Sequence, residues 1–526
     1  VADSTLTAVP LPESLSRDRP AALGRAMLPG LLAVLAVIAA PWVLDTYTVN
    51  ILVRAFFVAT VAVTVDVLWG FSGYLTFGQS AFFGIGAYTV AITFTELGFG
   101  PEQIAVALGA TIVLAAAVAV LVGWLSFYHG STPLYASVIS LVLPIVLVQL
   151  IYSGGTFTGS SSGIVGFETF DLSTESWFRV AGIGAVLTAV VARIVLASDA
   201  GRLLTALRDN ETRCAYLGID TARVRILLLL ISGVVAALAG FGYASFGGIA
   251  APENASFTFG TELVVMVALG GRGTLVGALV GALAIEVASA YLSGILPFVW
   301  QLIVGVAFVV VIVVLPAGLF GPLRGALAAL GRTDTTRRRS VRLAAVQRPT
   351  LAAASGEAVV ETHDLVKRFG SLAVLSGVTF SARPGELVSL VGPNGAGKTT
   401  LIRCLADGRE RSGGMVRICG RTIGRQSPHC IVALGLGRKF QAASVFETLT
   451  VADCLRIARL RRQRPSFLTA SSVLPLPPAA QAVVQTSGLA ERLHEEAQLL
   501  SHGLKQALEL AMVLALEPQV VLLDEP

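Results

Sequence analysis

The 526-residue chain is 54% hydrophobic and only 13% charged, against roughly 25% charged residues in an ordinary soluble domain, which excludes a wholly soluble protein. Its formal charge of +5 comes from basic residues scattered through short loops and one linker, without aromatic interleaving. That pattern fits membrane topology and excludes a nucleic-acid partner.

A polar segment over 1–26 carries Arg17, Arg19 and Arg25, and its basic character predicts a cytoplasmic N-terminus. The apolar run from Met27 to Leu44 is long enough to span a bilayer, and further runs follow at once, so it reads as a membrane helix rather than a cleaved signal. Spanning windows recur at about 50–71, 77–97, 104–125, 134–152, 178–197, 226–245, 275–292 and 298–315. A shorter window at 257–269 stops at Gly270-Gly271-Arg272-Gly273-Thr274 and predicts a short, broken or re-entrant helix. Counting it gives about ten spans in a polytopic α-helical domain over 27–321. Charge supports that count, because the predicted outer loops near 45–49, 98–103, 153–177, 246–261 and 293–297 contain no Lys or Arg.

Three ionisable residues fall inside spans. Arg54 lies near the outer end and can snorkel; Asp66 and Glu286 serve either helix packing or a polar path. Gly84, Gly86 and the glycines from Gly273 to Gly281 permit close helix packing. The outer loop Ser153 to Phe167 is small and polar, and either meets an external protein or is a flexible connection. The segment Gly201 to Arg225 is a charged, helix-capable insertion on the cytoplasmic side.

A basic, Ala-rich linker over 322–358, including Arg337-Arg338-Arg339, is expected along the cytoplasmic membrane face. From 359 onward, charge returns to soluble levels and strand-like and helix-like segments alternate, which predicts an α/β nucleotide-binding domain over 359–526. Five cysteines without a C-x-x-C pair read as reduced and structural.

Within this domain, Gly392-Pro393-Asn394-Gly395-Ala396-Gly397-Lys398-Thr399 matches G-x-x-x-x-G-K-[ST]. Glycines let backbone N–H groups wrap phosphate, Lys398 adds positive charge, and Thr399 offers a hydroxyl to Mg²⁺. The loop follows a strand-like run, Glu386 to Val391, and precedes a helix-like one from Thr400 to Leu405, as phosphate binding at a helix N-terminus requires.

The order of motifs over 359–526 resembles ATP-binding-cassette domains. By that resemblance, Phe369 stacks on adenine, and the Walker A residues with Thr400 hold the phosphates of ATP. Gln441 in Arg438-Lys439-Phe440-Gln441 reaches Mg²⁺ or the attacking water. Leu500-Ser501-His502-Gly503 is similar to the signature motif, in which Ser501 and Gly503 hold the γ-phosphate of ATP bound to the opposite subunit. His502 stands where Gly is usual and Leu504 where Gln is usual. Val520-Val521-Leu522-Leu523-Asp524-Glu525 looks like Walker B, with Asp524 holding Mg²⁺ and Glu525 acting as general base. The family's later segments, including a switch histidine, do not occur before Pro526, so the resemblance implies either that this sequence is a piece of a longer protein, which is the expectation, or that the ATPase is incomplete.

Residues 45–322 resemble permeases of bacterial ABC importers for branched-chain amino acids and urea. The likeness rests on Asp66 to Gly73, Phe77-Gly78-Gln79, Gly84 to Tyr88, Ala206 to Glu211, Gly270 to Gly277 and Leu315 to Gly321. In such importers a cytoplasmic segment placed like Gly201 to Arg225 docks onto the ATPase. The resemblance therefore implies a multi-pass protein of the bacterial plasma membrane that works with a second permease, a second ABC ATPase subunit and an extracytoplasmic solute-binding protein. Branched-chain or related amino acids, and urea or short amides, both remain open as cargo. A half-exporter fits poorly with about ten compact spans, and a non-transporting protein with a vestigial cassette is the remaining rival.

Overall fold

A computed structural model of the chain describes residues 19–128, 133–295, isolated positions between 299 and 318, 342–345, 358–463, 465–467 and 473–524. Helices form at the apolar windows wherever these are described: α1 (Arg19–Ala39), α2 (Thr46–Asp66), α3 (Gln79–Leu97), α4 (Pro101–Phe127), α5 (Pro133–Ser153) and α6 (Thr174–Leu196). Two short helices, α7 (Asp199–Asp209) and α8 (Glu211–Tyr216), precede α9 (Thr221–Gly247), α10 (Phe257–Gly270) and α11 (Val276–Ile295). Seven of these are long and apolar enough to cross a bilayer, namely α2 to α6, α9 and α11. The apolar parts of α1 and α10 are shorter, and most of the 298–315 window lies outside the described residues. Of the ten windows counted as spans, nine hold a helix among the described residues, seven of them long enough to cross, and α10 is the short one that its glycines predict.

In α2 and α3, 78% of the apolar window is buried and these helices form the middle of the bundle, whereas in α4, α5, α6 and α11 that share is 22% and they form its perimeter. Lipid offers no hydrophobic drive between helices, so close packing must hold them. A Cβ on Gly86 of α3 would collide with the Ala237 carbonyl of α9, and one on Gly240 of α9 with the Phe83 carbonyl of α3. Asp66 is fully buried at the end of α2 and accepts hydrogen bonds from the backbone N–H groups of Gly273 (2.6 Å) and Leu275 (2.9 Å). Of its two sequence readings, the packing role is the one its contacts display.

The C-terminal part begins with a four-stranded sheet of order β5-β4-β6-β7. A short strand, β3 (Arg342–Ala345), precedes it; the sheet contains β4 (Val360–Phe369), β5 (Leu372–Ala382), β6 (Gly413–Ile418) and β7 (Arg421–Ile423). β1 (Ile164–Val165) and β2 (Ile249–Ala250) form an antiparallel pair that joins the loop after α5 to the loop after α9. α12 (Lys398–Ala406) follows β5; α13 (Pro428–Ala433), β8 (Leu436–Lys439), α14 (Val451–Arg459), β9 (Val473–Leu476), α15 (Pro478–Thr486), α16 (His502–Leu514) and β10 (Val520–Leu523) complete the domain. β10 runs parallel to β8, with Leu523 opposite Lys439. That register sets the carboxylate after β10 beside the segment after β8.

The run Glu386 to Val391, expected as a strand, makes no sheet ladder, and its Leu387 and Val391 are 96% and 92% exposed. An apolar strand of this kind is stable only when neighbours bury both its faces, and among the described residues no strand stands beside it.

α7 and α8 share one core with the cassette. Leu203, Leu207 and Leu217 belong to the same buried cluster as Phe446, Leu455, Leu508 and Met512. The expected docking of the cytoplasmic insertion onto the ATPase region is therefore a continuous apolar contact.

Candidate functional site

The phosphate loop is exposed from Gly392 to Ala396, and Gly395 and Gly397 hold φ of +85° and +88°. Residues with a Cβ avoid that left-handed backbone, so glycine is what lets the loop curl there. Gly397 is also the N-cap of α12, which begins at Lys398 and carries Thr399 and Thr400 in its first turn. Lys398 Nζ donates to the loop carbonyls of Gly392 (2.6 Å) and Pro393 (2.9 Å). The loop thus presents an ammonium and a helix N-terminus together, which suits an anion.

Thr399 Oγ1 donates to Asp524 Oδ1 at 3.1 Å, bringing the Walker A hydroxyl and the first Walker B carboxylate together across 125 residues. Two hard oxygens so placed, one charged, are the donors Mg²⁺ takes. They line a cavity of 680 Å³ together with Gln441, Arg403, Arg438, Phe440, Asp209 and Asn210. Gln441 is exposed, and its carbonyl accepts from Gln506 Nε2 (3.2 Å). Phe369 ends β4, is 53% exposed, and has Lys367 Nζ 4.6 Å from its ring centroid, so ring surface remains for a flat base. Ser501 is the N-cap of α16, and it, His502 and Gly503 are exposed, while Leu504 is half-buried. These residues thus lie at the surface around a helix N-terminus. Glu525 lies outside the described residues.

Sequence reasoning missed a buried node where α8 meets the cassette. Arg213, fully buried, reaches Glu509 Oε1 of α16 at 3.2 Å and also donates to the carbonyls of Arg438 (3.2 Å) and Glu509 (3.3 Å). Glu509 in turn accepts from the backbone N–H groups of Phe440 (2.9 Å) and Ser444 (3.3 Å). One carboxylate therefore ties the signature helix, the loop around Gln441 and the permease insertion. Burial pushes the Arg213 guanidinium below its usual range while Glu509 raises it; burial pushes the Glu509 carboxyl up while Arg213 lowers it. The only sequence signal was a Glu within the apolar stretch Leu508-Glu509-Leu510. Around this node, Asp209 accepts from Thr448 Oγ1 (2.6 Å), Asn210 donates to Ser444 (3.0 Å), and Arg202 pairs with Asp453 (2.9 Å).

A helical membrane region joined to a P-loop ATPase through the docked α7–α8 segment defines an ABC transporter whose ATP hydrolysis is coupled to transport. Residues 375–526 match the ABC transporter family model. Residues 47–315, about half of the chain, match the model described as branched-chain amino acid transport system, permease component, and the chain belongs to that family.

The cassette is 31% identical over 177 residues to the high-affinity branched-chain amino acid transport ATP-binding protein BraF of Pseudomonas aeruginosa, covering 32% of this chain and 69% of that protein. It is 30% identical over 178 residues to LivG of Escherichia coli, a protein of the same description, with the same coverage. A sulfate/thiosulfate import ATP-binding protein, CysA of Mycolicibacterium paratuberculosis, is 36% identical over 171 residues, covering 32% of this chain and 44% of that protein. A solved ATP-binding subunit of an ABC transporter is 25% identical with a TM-score of 0.27, over 32% of this chain and 65% of that one.

Proposed function

We propose that this chain is the permease and ATPase of one half of an importer that carries branched-chain or related amino acids across the bacterial plasma membrane. The reading rests on one observation above others: the permease-family region and the cassette share a buried core, closed by the Arg213–Glu509 pair at 3.2 Å. A rigid joint of this kind lets motion of the cassette displace α7 and α8, and through them α9. The matches to BraF and LivG, which carry branched-chain amino acid transport in their descriptions, favour that cargo.

In this reading the Walker A residues, with Thr400 behind them, hold the ATP phosphates, and Phe369 takes the base. Thr399, Asp524 and Gln441 hold Mg²⁺, which supplies electrostatic stabilisation of the transferred phosphoryl group. Glu525 orients the attacking water as general base. Ser501 and Gly503 complete the ATP site of a second cassette, so the working assembly contains a second permease, a second ATPase and an extracytoplasmic solute-binding protein.

The test is uptake of labelled leucine by the assembled complex in lipid vesicles. ATP-driven accumulation that is lost with Lys398→Ala and competed by isoleucine and valine supports the reading. Accumulation of urea but not leucine contradicts the cargo, and accumulation unchanged by Lys398→Ala contradicts the ATPase assignment.

A further inference from the structure

Arg438 is the one described side chain that touches both the carboxylate assigned to the metal and the permease insertion. It leaves the end of β8 nearly fully buried, 3% exposed. Its Nη2 lies 3.5 Å from Asp524 Oδ2. Its Nη1 donates to the Tyr216 hydroxyl of α8 at 3.3 Å. The guanidinium also lies over two rings, 4.7 Å from the Phe440 centroid and 5.3 Å from that of Tyr216, and the two rings meet edge to face at 5.0 Å.

Two features mark this arrangement as poised rather than settled. The contact with Asp524 is long and single, where a well-seated arginine–carboxylate pair is short and bidentate. The rest of the guanidinium is shared between a long bond to the Tyr216 hydroxyl (3.3 Å) and two ring faces, so no partner holds it alone. Around it stand the cation Arg213, whose Nη1 binds the Arg438 carbonyl, and the 680 Å³ cavity that contains Thr399 and Asp524. Asp524 Oδ1 already faces Thr399, so Oδ2 is the oxygen shared between Arg438 and any incoming cation.

We infer that Arg438 is a stand-in for the metal: its guanidinium neutralises Asp524 until Mg²⁺ arrives, then gives up that contact and is held by Tyr216 and Phe440 alone, and so reports metal occupancy to α8. The inference rests on the reading that Asp524 and Thr399 hold Mg²⁺. Two cations cannot share one carboxylate oxygen at contact distance without repulsion. Metal binding therefore costs the Arg438–Asp524 contact, while the aromatic pair that already holds the guanidinium remains as its second seat. Because binding linkage is reciprocal, whatever strengthens the hold of Tyr216 on Arg438 also favours the metal.

This predicts opposite shifts from two substitutions on either side of the guanidinium. In the assembled complex, a fluorescent non-hydrolysable ATP analogue is titrated with Mg²⁺ and the half-saturating Mg²⁺ concentration is read. Arg438→Met removes the competitor and lowers that midpoint by about tenfold. Tyr216→Phe removes the second seat's hydroxyl, leaves Arg438 leaning on Asp524, and raises the midpoint by about threefold. A merely structural arginine would give a raised or unchanged midpoint with Arg438→Met, and that result overturns the inference. Should Arg438→Met not assemble, Tyr216→Phe decides: a midpoint that stays level or falls overturns it. Asp524→Asn separates the two readings. If it leaves the Mg²⁺ midpoint unchanged, the metal assignment itself fails; if it raises the midpoint while Arg438→Met does nothing, only the stand-in role fails.

Discussion

The membrane bundle and the permease–cassette joint solve the same problem, holding helices together, by opposite means. In the bundle, α3 and α9 approach through Gly86 and Gly240, where each backbone fills the space a side chain would need. At the joint, the apolar cluster of Leu203, Leu207, Phe446 and Met512 is pinned by a buried ion pair and a ring of hydrogen bonds. The solvents differ, and so do the devices. Lipid leaves only packing and a few satisfied polar groups such as Asp66, whereas at an interface formed in water apolar burial supplies affinity and charge supplies register.

If the joint depends on its charge pair, removing one partner should be the most damaging change in the molecule. Arg213→Ala leaves the Glu509 carboxylate buried without its cation and should destabilise the joint by about 3–5 kcal/mol, seen as a lower denaturation midpoint and faster proteolysis of the segment between α8 and the cassette. If the bundle depends on backbone approach, Gly86→Leu should cost about 1–3 kcal/mol through overpacking, read as a lower melting temperature in detergent without change in ATP binding. Asp66→Asn sharpens the contrast from within the bundle. One acceptor oxygen survives for Gly273 or Leu275 while the new amide faces the other N–H, so about 1–2 kcal/mol should be lost in the same melting assay. The smallest effect belongs to Arg202→Ala, about 1 kcal/mol, because Asp453 keeps Arg456 at 2.9 Å and the loss falls mainly on the Arg202–Asp199 pair at 2.6 Å.

What could be read from the chain beforehand follows the range of the interactions involved. Helix positions were legible because apolar length and loop charge are local, and α12 and β10 because a P-loop and a Walker B run carry their own signals. The Glu386 to Val391 run misled because its apolar pattern specifies burial but not the neighbours that must supply it. Asp66 was visible as an anomaly inside a span, yet its partners Gly273 and Leu275 lie more than 200 residues away. Glu509 and Arg213 were harder still, since each looks ordinary until the fold places them 296 residues apart in sequence and 3.2 Å apart in space.

The measurement that bears most directly on the joint is a double-mutant cycle on Arg213→Met and Glu509→Leu, with stability of the assembled chain read by chemical denaturation. A coupling energy above about 1.5 kcal/mol, with the double variant more stable than either single one, is the result expected of a buried pair that fixes the joint. Losses that simply add would contradict it and leave the apolar contact alone to join permease and cassette.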